Sequence, residues 1–95
     1  MNLNISWQLK IRDKIWKDIV KFPKKDQEKI VRIIEKEIIL NPYFGDIEKM
    51  KGEENSWRRR IGVYRVFYEI FSNEKIIYIF RIERRTSKTY KVKTK

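Results

Sequence analysis

Four arginines occur within eight residues near the middle of the chain, in a stretch whose pattern predicts two paired β-strands. Residues 57–61 and 63–71 contain many aromatic and β-branched side chains, which favour strands. Gly62 lies between them and permits a tight reversal, because glycine adopts a positive φ at no steric cost. The predicted hairpin therefore brings these arginines together: Arg58, Arg59, Arg60 and Arg65.

Successive side chains on a strand point to opposite faces, so the hairpin has two different surfaces. In the first strand, Arg58 and Arg60 share one face. In the second strand, Arg65 alternates with Tyr64 and Tyr68, and we expect the two tyrosines to pack into the core. An arginine-rich sheet face of this kind is either a solvated charged surface or a binding surface for phosphate groups.

The composition restricts both the chemistry and the partners. The chain has 95 residues, enough for one domain, and contains no cysteine or histidine. Disulfides, thiol nucleophiles and the commonest acid–base group are therefore excluded. The net charge is +11, and residues 57–95 contain twelve basic and three acidic side chains. This asymmetry favours nucleic acid as the partner, with an anionic membrane surface as the alternative. No apolar segment approaches the length of a membrane span and no signal-peptide pattern occurs, so a cytoplasmic location is expected.

The remaining hydrophobic patterns predict two amphipathic helices and further strands. In chain order, the predicted elements are a strand at 2–7, helices at 8–22 and 24–40, a loop at 43–56, the hairpin at 57–71, an interior strand at 76–82 and a basic tail at 83–95. The fold class is therefore α+β, in the order β-α-α-β-β-β. An antiparallel sheet packs against an N-terminal helical hairpin, in a single domain spanning residues 1–95.

Three segments have the order and spacing of a known family. They are Glu-Lys-Met-Lys-Gly at 48–52, Trp-Arg-Arg-Arg-Ile at 57–61, and Val-Tyr-Arg-Val-Phe-Tyr-Glu at 63–69. The most specific part is Gly-x-Tyr-Arg-x-x-Tyr at 62–68. With these segments, the chain resembles the RelE/ParE toxin superfamily over nearly its whole length. The resemblance implies a RelE-like microbial RNase fold and a toxin of a type II toxin–antitoxin system, wrapped by its cognate antitoxin.

The resemblance also implies an activity. Members of the RelE and YoeB branches cleave mRNA in the ribosomal A site without a metal or other cofactor, by attack of the ribose 2′-hydroxyl on the adjacent phosphorus. We therefore expect a ribosome-dependent endoribonuclease with the antitoxin, the ribosome and mRNA as partners. One alternative is a ParE-like inhibitor of DNA gyrase. Another is an inactive basic module that binds RNA or the ribosome. The sequence leaves homo-oligomerisation open.

The resemblance assigns roles to four residues near the hairpin. Arg65 matches the arginine that contacts the scissile phosphate. Arg58 and Arg60 stand where RelE-type members have lysines, and arginine essentially never deprotonates, so neither is a general base. Glu48 matches the glutamate that YoeB-type members use as base. The alternative for Glu48 is an exposed loop carboxylate.

The C-terminal segment supplies the remaining candidates. Arg85 matches the family residue that serves the leaving oxygen, and it precedes Tyr90 by five residues. Tyr90 either stacks on a base, orients the 2′-hydroxyl or anchors the tail to the sheet. The acidic residues of 46–54 fit no known metal-binding pattern, so no metal site is expected. The further candidates for RNA contact are Arg59, Lys51, Arg84, Lys88 and Lys91.

Overall fold

A five-stranded sheet packed against two helices forms the domain in the computed structural model, which describes residues 7–85. In chain order the elements are β1 (Gln8–Ile11), α1 (Asp13–Ile19), α2 (Lys24–Ile33), a π-helical turn that continues α2 (Ile34–Ile38), β2 (Ile47–Lys49), β3 (Ser56–Ile61), β4 (Tyr64–Phe71) and β5 (Ile76–Arg84). The strand order across the sheet is β1-β5-β4-β3-β2. The predicted α+β class is confirmed, but the sheet is mixed, because β1 pairs with β5 in parallel.

The first strand lies further along the chain than predicted. Trp7 precedes it, and residues 2–6 of the predicted strand lie outside the described residues. Residues 8–11, predicted as the start of a helix, form β1, which pairs with β5. A run this short contains only two apolar side chains, and these fit the stripe of a helix as well as the alternation of a strand. Helix α1 consequently begins at Asp13 and ends at Ile19, three residues before the predicted end.

The second helix agrees with its prediction. Helix α2 and the π-helical turn together span residues 24–38, against 24–40 predicted. Ile30, Ile34 and Ile38 lie along one side and are almost completely buried. Burial of one such side chain stabilises the fold by about 1.5–3 kcal/mol. This isoleucine stripe therefore holds the helix on the sheet.

The arginine-rich hairpin is confirmed. Strands β3 and β4 pair in antiparallel register and are joined through Gly62, whose φ is +61°. Strand β5 is interior, between β1 and β4, as its apolar sequence predicted, and it extends to Arg84 instead of ending at residue 82. The predicted loop at 43–56 contains the short edge strand β2, which was missed because it has only three residues.

The core lies between the helices and one face of the sheet, and both predicted core tyrosines belong to it. The Tyr68 hydroxyl donates to the carbonyl of Pro42 at 2.8 Å, and burial raises the pKa of Tyr68 to about 12. The Tyr64 hydroxyl donates to Oδ2 of Asp26 at 2.6 Å. Burial, followed by this hydrogen bond, raises the pKa of Tyr64. Neither described helix is both long and apolar enough to cross a membrane.

Candidate nucleic-acid interface

The face of the sheet opposite the helices contains a cleft lined by arginines. Arg58 and Arg60 project from β3, and Arg65 projects from the neighbouring position on β4. The cleft has a volume of about 190 Å³. Arg60 and Arg65 stand directly opposite each other in the register of the two strands, where like charges are destabilising. A pairing that opposes stability in this way is typical of a site that binds an anion.

Two carboxylates from the β2 segment line the other side of this cleft. Glu48 stands opposite Arg58 and accepts a hydrogen bond from its Nη2. Arg60 donates from its Nε to Oδ2 of Asp46 at 3.1 Å, and its backbone N–H donates to the Asp46 carbonyl at 3.0 Å. Exposed ion pairs of this kind contribute only about 0–1 kcal/mol. A phosphate group can therefore replace the carboxylates as the partner of these arginines.

Arg65 differs from the other two arginines of the cleft. Among residues 7–85 no carboxylate lies within ion-pair distance of its guanidinium. Its cross-strand neighbour on β5, Glu83, instead accepts a hydrogen bond from Arg81. Arg65 is half-buried, so its charge is partly shielded from water. It is the cation of the cleft that can bind an anion without first breaking an ion pair.

The same cluster controls the ionisation of Glu48. Its pKa is lowered, first by the hydrogen bond from Arg58 and then by the positive charges of Arg58 and Arg65. Glu48 is therefore a carboxylate at neutral pH and can accept a proton. A lowered pKa also makes it a weak base for as long as Arg58 remains bound to it.

Arg59 lies on the opposite face of β3 and is buried, with 8% of its side chain exposed. Its Nη2 donates to Oε1 of Glu37 in the π-helical turn. Its guanidinium also lies against Gly45, where an added Cβ would come within 2.6 Å of Nη1. Arg59 was a candidate for RNA contact, and its burial on the helix side removes it from the accessible surface. It joins the helix to the loop that precedes Asp46.

Strand β5 distributes its arginines between the two faces. Arg81, whose orientation the sequence left open, lies on the cleft side, with its Cζ 5.1 Å from the ring centroid of Phe67. Arg84, a candidate for RNA contact, lies on the helix side, with its Cζ 5.8 Å from the ring of Tyr64. Arg81 and Glu83 therefore share the cleft side of β5, whereas Arg84 faces the helices.

The other candidates fall outside the cleft or outside the described residues. Arg85 is exposed and follows β5, where its backbone N–H donates to the Val63 carbonyl at 2.6 Å. This bond fixes the chain next to the β3–β4 turn, close to the start of the strand that holds Arg65. Lys51 lies in the exposed turn after β2 and does not line the cleft. The candidates outside the described residues are Lys88, Tyr90 and Lys91.

Sequence reasoning missed the role of Asp46. It was considered only as a possible metal ligand, and within the described part of the chain no group of three carboxylates comes together to hold a metal ion. The alternation of acidic Asp46, apolar Ile47 and acidic Glu48 was the available signal for a strand with both carboxylates on one face. Three residues are too few for that signal to be distinguished from a loop.

A family model described as "ParE toxin of type II toxin-antitoxin system, parDE" matches residues 9–88. The chain belongs to this toxin family. A curated relative, the putative toxin RelE1 of Methanocaldococcus jannaschii, is 31% identical over 84 residues, which is 85% of this chain and 92% of the relative. The chain is therefore a type II toxin of the RelE/ParE superfamily, as the resemblance implied.

Solved structures agree with this family assignment. The archaeal RelE–RelB complex from Pyrococcus horikoshii contains a chain 27% identical to this toxin, with a TM-score of 0.67 over 85% of this chain and 97% of that one. The toxin–antitoxin complex RelBE2 from Mycobacterium tuberculosis matches at 18% identity, with a TM-score of 0.75 over 85% of this chain and 100% of that one. The second likeness concerns the fold alone, and it confirms the RelE-like architecture.

Proposed function

We propose that this toxin is a metal-independent, ribosome-dependent mRNA endoribonuclease. The observation on which the proposal rests is the position of Arg65, a half-buried arginine with no ion-pair partner among residues 7–85, between arginines that are only weakly neutralised. Arginine is permanently charged and binds two phosphate oxygens at once. A cluster of this kind stabilises the additional negative charge of a pentacoordinate phosphate, which is the main requirement of metal-free RNA cleavage.

The reaction forms one bond and breaks another at the same phosphorus. The ribose 2′-oxygen attacks, the bond to the 5′-oxygen of the next nucleotide breaks, and a 2′,3′-cyclic phosphate remains. Arg65 binds the non-bridging oxygens from the start, and Arg58 and Arg60 exchange their carboxylate partners for the same phosphate. The protein contributes mainly electrostatic stabilisation, so losing one such donor is expected to slow cleavage about 100- to 1000-fold.

The ion pair between Glu48 and Arg58 connects phosphate binding with base catalysis. When Arg58 turns to the phosphate, Glu48 loses the hydrogen bond that lowers its pKa. Its pKa then rises, and the carboxylate becomes a better base for the 2′-hydroxyl proton. In this proposal Glu48 is activated only when RNA occupies the cleft. The free toxin keeps Glu48 as a weak base.

The leaving oxygen and the flanking RNA are assigned to the C-terminal segment. Arg85 stabilises the charge that develops on the 5′-oxygen, and Tyr90 stacks on a base or orients the 2′-hydroxyl. The hydrogen bond from Arg85 to Val63 supports the first assignment, because it fixes the start of the segment beside the hairpin. The cations proposed to contact the RNA backbone outside the cleft are Lys51, Arg84, Lys88 and Lys91.

We further propose a cognate antitoxin as the partner in the resting cell, with both proteins in the cytoplasm. Two of the solved relatives are complexes of a toxin with its antitoxin. The net charge of +11 supports an acidic or amphipathic partner, because its neutralisation stabilises the complex.

The proposal is tested by adding the purified toxin to ribosomes programmed with a defined mRNA and mapping the RNA 5′ ends by primer extension. We expect cuts at codons positioned in the A site, and no cuts when ribosomes are omitted. Intact mRNA in the presence of folded toxin would overturn the nuclease proposal. Salt-sensitive binding to ribosomes without any cut would instead indicate an inactive RNA-binding module.

Inhibition of DNA gyrase is the second candidate function, because the matching family model is described as the ParE toxin. Binding of gyrase by the same fold requires no phosphodiester chemistry. The two functions are separated in cells that express the toxin: loss of DNA supercoiling with intact mRNA favours the gyrase inhibitor, and mRNA cleavage with unchanged supercoiling favours the nuclease.

A further inference from the structure

A second cavity, of about 400 Å³, lies between α1 and the C-terminal half of β5. It exists because β1 is shorter than its partner. The pairing of the two strands ends where Ile11 stands opposite Ile79, and the chain then turns into α1 at Asp13. From Phe80 onwards β5 therefore has no β1 residue beside it. The cavity occupies the gap between this part of β5 and the helix.

The charged side chains that line the cavity are mostly cations. Arg12, Lys14 and Arg81 contribute positive charge, against the single lining carboxylate of Asp18. Lys14 binds Asp18 at 3.2 Å in an exposed pair, which contributes little. Arg12 donates from Nη1 to the Phe80 carbonyl at 3.4 Å, and it has no carboxylate partner within residues 7–85. Its guanidinium is thus available to an external anion, as Arg65 is in the first cleft.

An aromatic side chain lies beside these cations. Phe80 lines the cavity and is half-buried, with its ring centroid 6.4 Å from that of Phe67 and 6.3 Å from that of Tyr78. Its neighbours hold the ring in place, so little conformational entropy is lost when a planar group stacks on it. Arg12 is unpaired among residues 7–85, and the other two lining cations are held only in exposed ion pairs. An aromatic ring next to such cations is the combination by which proteins bind a nucleotide of single-stranded RNA.

One cross-strand row of side chains relates the cavity to the arginine cleft. Arg58, Phe67 and Arg81 occupy one cross-strand row of β3, β4 and β5. Two strand spacings separate the ends of the row, about 10 Å. Arg81 lies over the ring of Phe67 and also lines the cavity. One row of side chains therefore leads from the first phosphate-binding cleft to the second group of cations.

We propose that this cavity is a second nucleotide-binding site, which takes a neighbouring nucleotide of the same single-stranded RNA. The base stacks on Phe80, and Arg12 and Arg81 bind its phosphate. The inference rests on the proposed nuclease function, because it assumes that RNA occupies the arginine cleft. The second site would increase the affinity for RNA and fix the path of the RNA strand at a distance from the reacting phosphate.

The test measures binding separately from cleavage. A short, fluorescently labelled RNA with 2′-O-methyl groups cannot be cut, and its affinity is measured by fluorescence anisotropy at low ionic strength. Phe80→Leu is expected to weaken binding roughly 5- to 100-fold. Arg12→Gln is expected to weaken binding and to reduce the slope of affinity against salt by about one counterion. The matched control is Lys17→Gln, which removes one exposed cation of α1 outside the cavity and should change the affinity far less.

Two other outcomes overturn the assignment. Unchanged affinity in Phe80→Leu and Arg12→Gln, together with weakened binding in Arg65→Ala, would restrict RNA to the first cleft and leave the nuclease proposal intact. An effect of Arg12→Gln without any effect of Phe80→Leu would indicate a site that recognises charge alone, such as that of an acidic protein segment. The toxin could also fail to cleave mRNA while both cavity variants bind RNA more weakly. That result would support the nucleotide site and contradict the nuclease proposal.

Discussion

The two faces of β3 use adjacent arginines for opposite purposes. Arg58 and Arg60 lie on the open face, in exposed pairs with carboxylates that a phosphate can displace. Arg59 lies between them in sequence but is buried on the helix side, where it joins β3 to Glu37 and contacts Gly45. An exposed pair contributes little stability, whereas a buried guanidinium that loses its partner is costly. The same residue type therefore has displaceable partners on one face and a structural role on the other.

The largest effect is expected from Arg65→Ala, on the open face. This variant should cleave ribosome-bound mRNA about 100- to 1000-fold more slowly, because it loses the unpaired cation that binds the phosphate. Its urea-unfolding midpoint should stay close to that of the wild type. The matched control is Arg32→Ala, which removes an exposed arginine of α2 far from the cleft. An Arg65→Ala toxin with full activity would contradict the role of the open face.

Arg59→Ala tests the buried face. We expect the free energy of unfolding to fall by about 1–3 kcal/mol, because the substitution leaves a gap in the interior and removes the partner of Glu37. Arg60→Ala, on the open face, should cost less than about 1 kcal/mol. Both values come from urea unfolding monitored by circular dichroism, with the slopes compared to confirm two-state behaviour. Equal costs for the two variants would show that burial does not distinguish these arginines.

Gly45→Ala probes the contact between the buried arginine and its loop. The φ of Gly45 is +107°, and a Cβ here would come within 2.6 Å of Arg59 Nη1. We expect a loss of about 1–2 kcal/mol in unfolding free energy, from backbone strain and steric clash together. In an Arg59→Ala background the same substitution should cost less, because only the backbone strain remains. A double-mutant cycle measures the difference, and additive costs would exclude the clash.

The smallest effect concerns alkaline pH. The pKa of Tyr68 is raised to about 12 by burial, while the charge of Arg59 acts in the opposite direction. Because the folded state holds the phenol proton more tightly than the unfolded state, its stability is complete below the ordinary tyrosine pKa of about 10. The stability then falls as the pH rises from about 10 towards 12. Arg59→Gln should raise the pKa of Tyr68 further. Tyrosinate absorbance during a pH titration shows whether the pKa of Tyr68 rises. An unchanged or lower pKa would show that the charge of Arg59 does not act on Tyr68.

Local patterns were sufficient to predict the hairpin and three residues of the cleft. The alternation of β3 and β4 around Gly62 is determined within 16 residues, and it placed Arg58 and Arg60 on one face. Register then brings Arg65 beside them. These features depend on nearest neighbours in sequence, so they require no knowledge of the tertiary structure.

Features that depend on distant contacts could not be predicted. Strand β1 is a strand because β5 pairs with it from 68 residues away, and its own sequence equally fits the start of a helix. The burial of Arg59 depends on the position of Glu37, and the involvement of Asp46 depends on the edge strand β2. The alternation indicated only that Arg59 points away from its neighbours. It did not indicate that a helix would cover it.

The parallel pairing of β1 with β5 also determines when the protein can fold during synthesis. The first described strand needs the last one as its partner, and both helices, which are synthesised early, have no sheet to cover until the hairpin and β5 follow. Pairing of such distant segments is slow and comes late. A nascent chain that lacks β5 therefore leaves α1 without the strand that it contacts. A ribosome making this protein must therefore have synthesised β5 before a finished toxin can form.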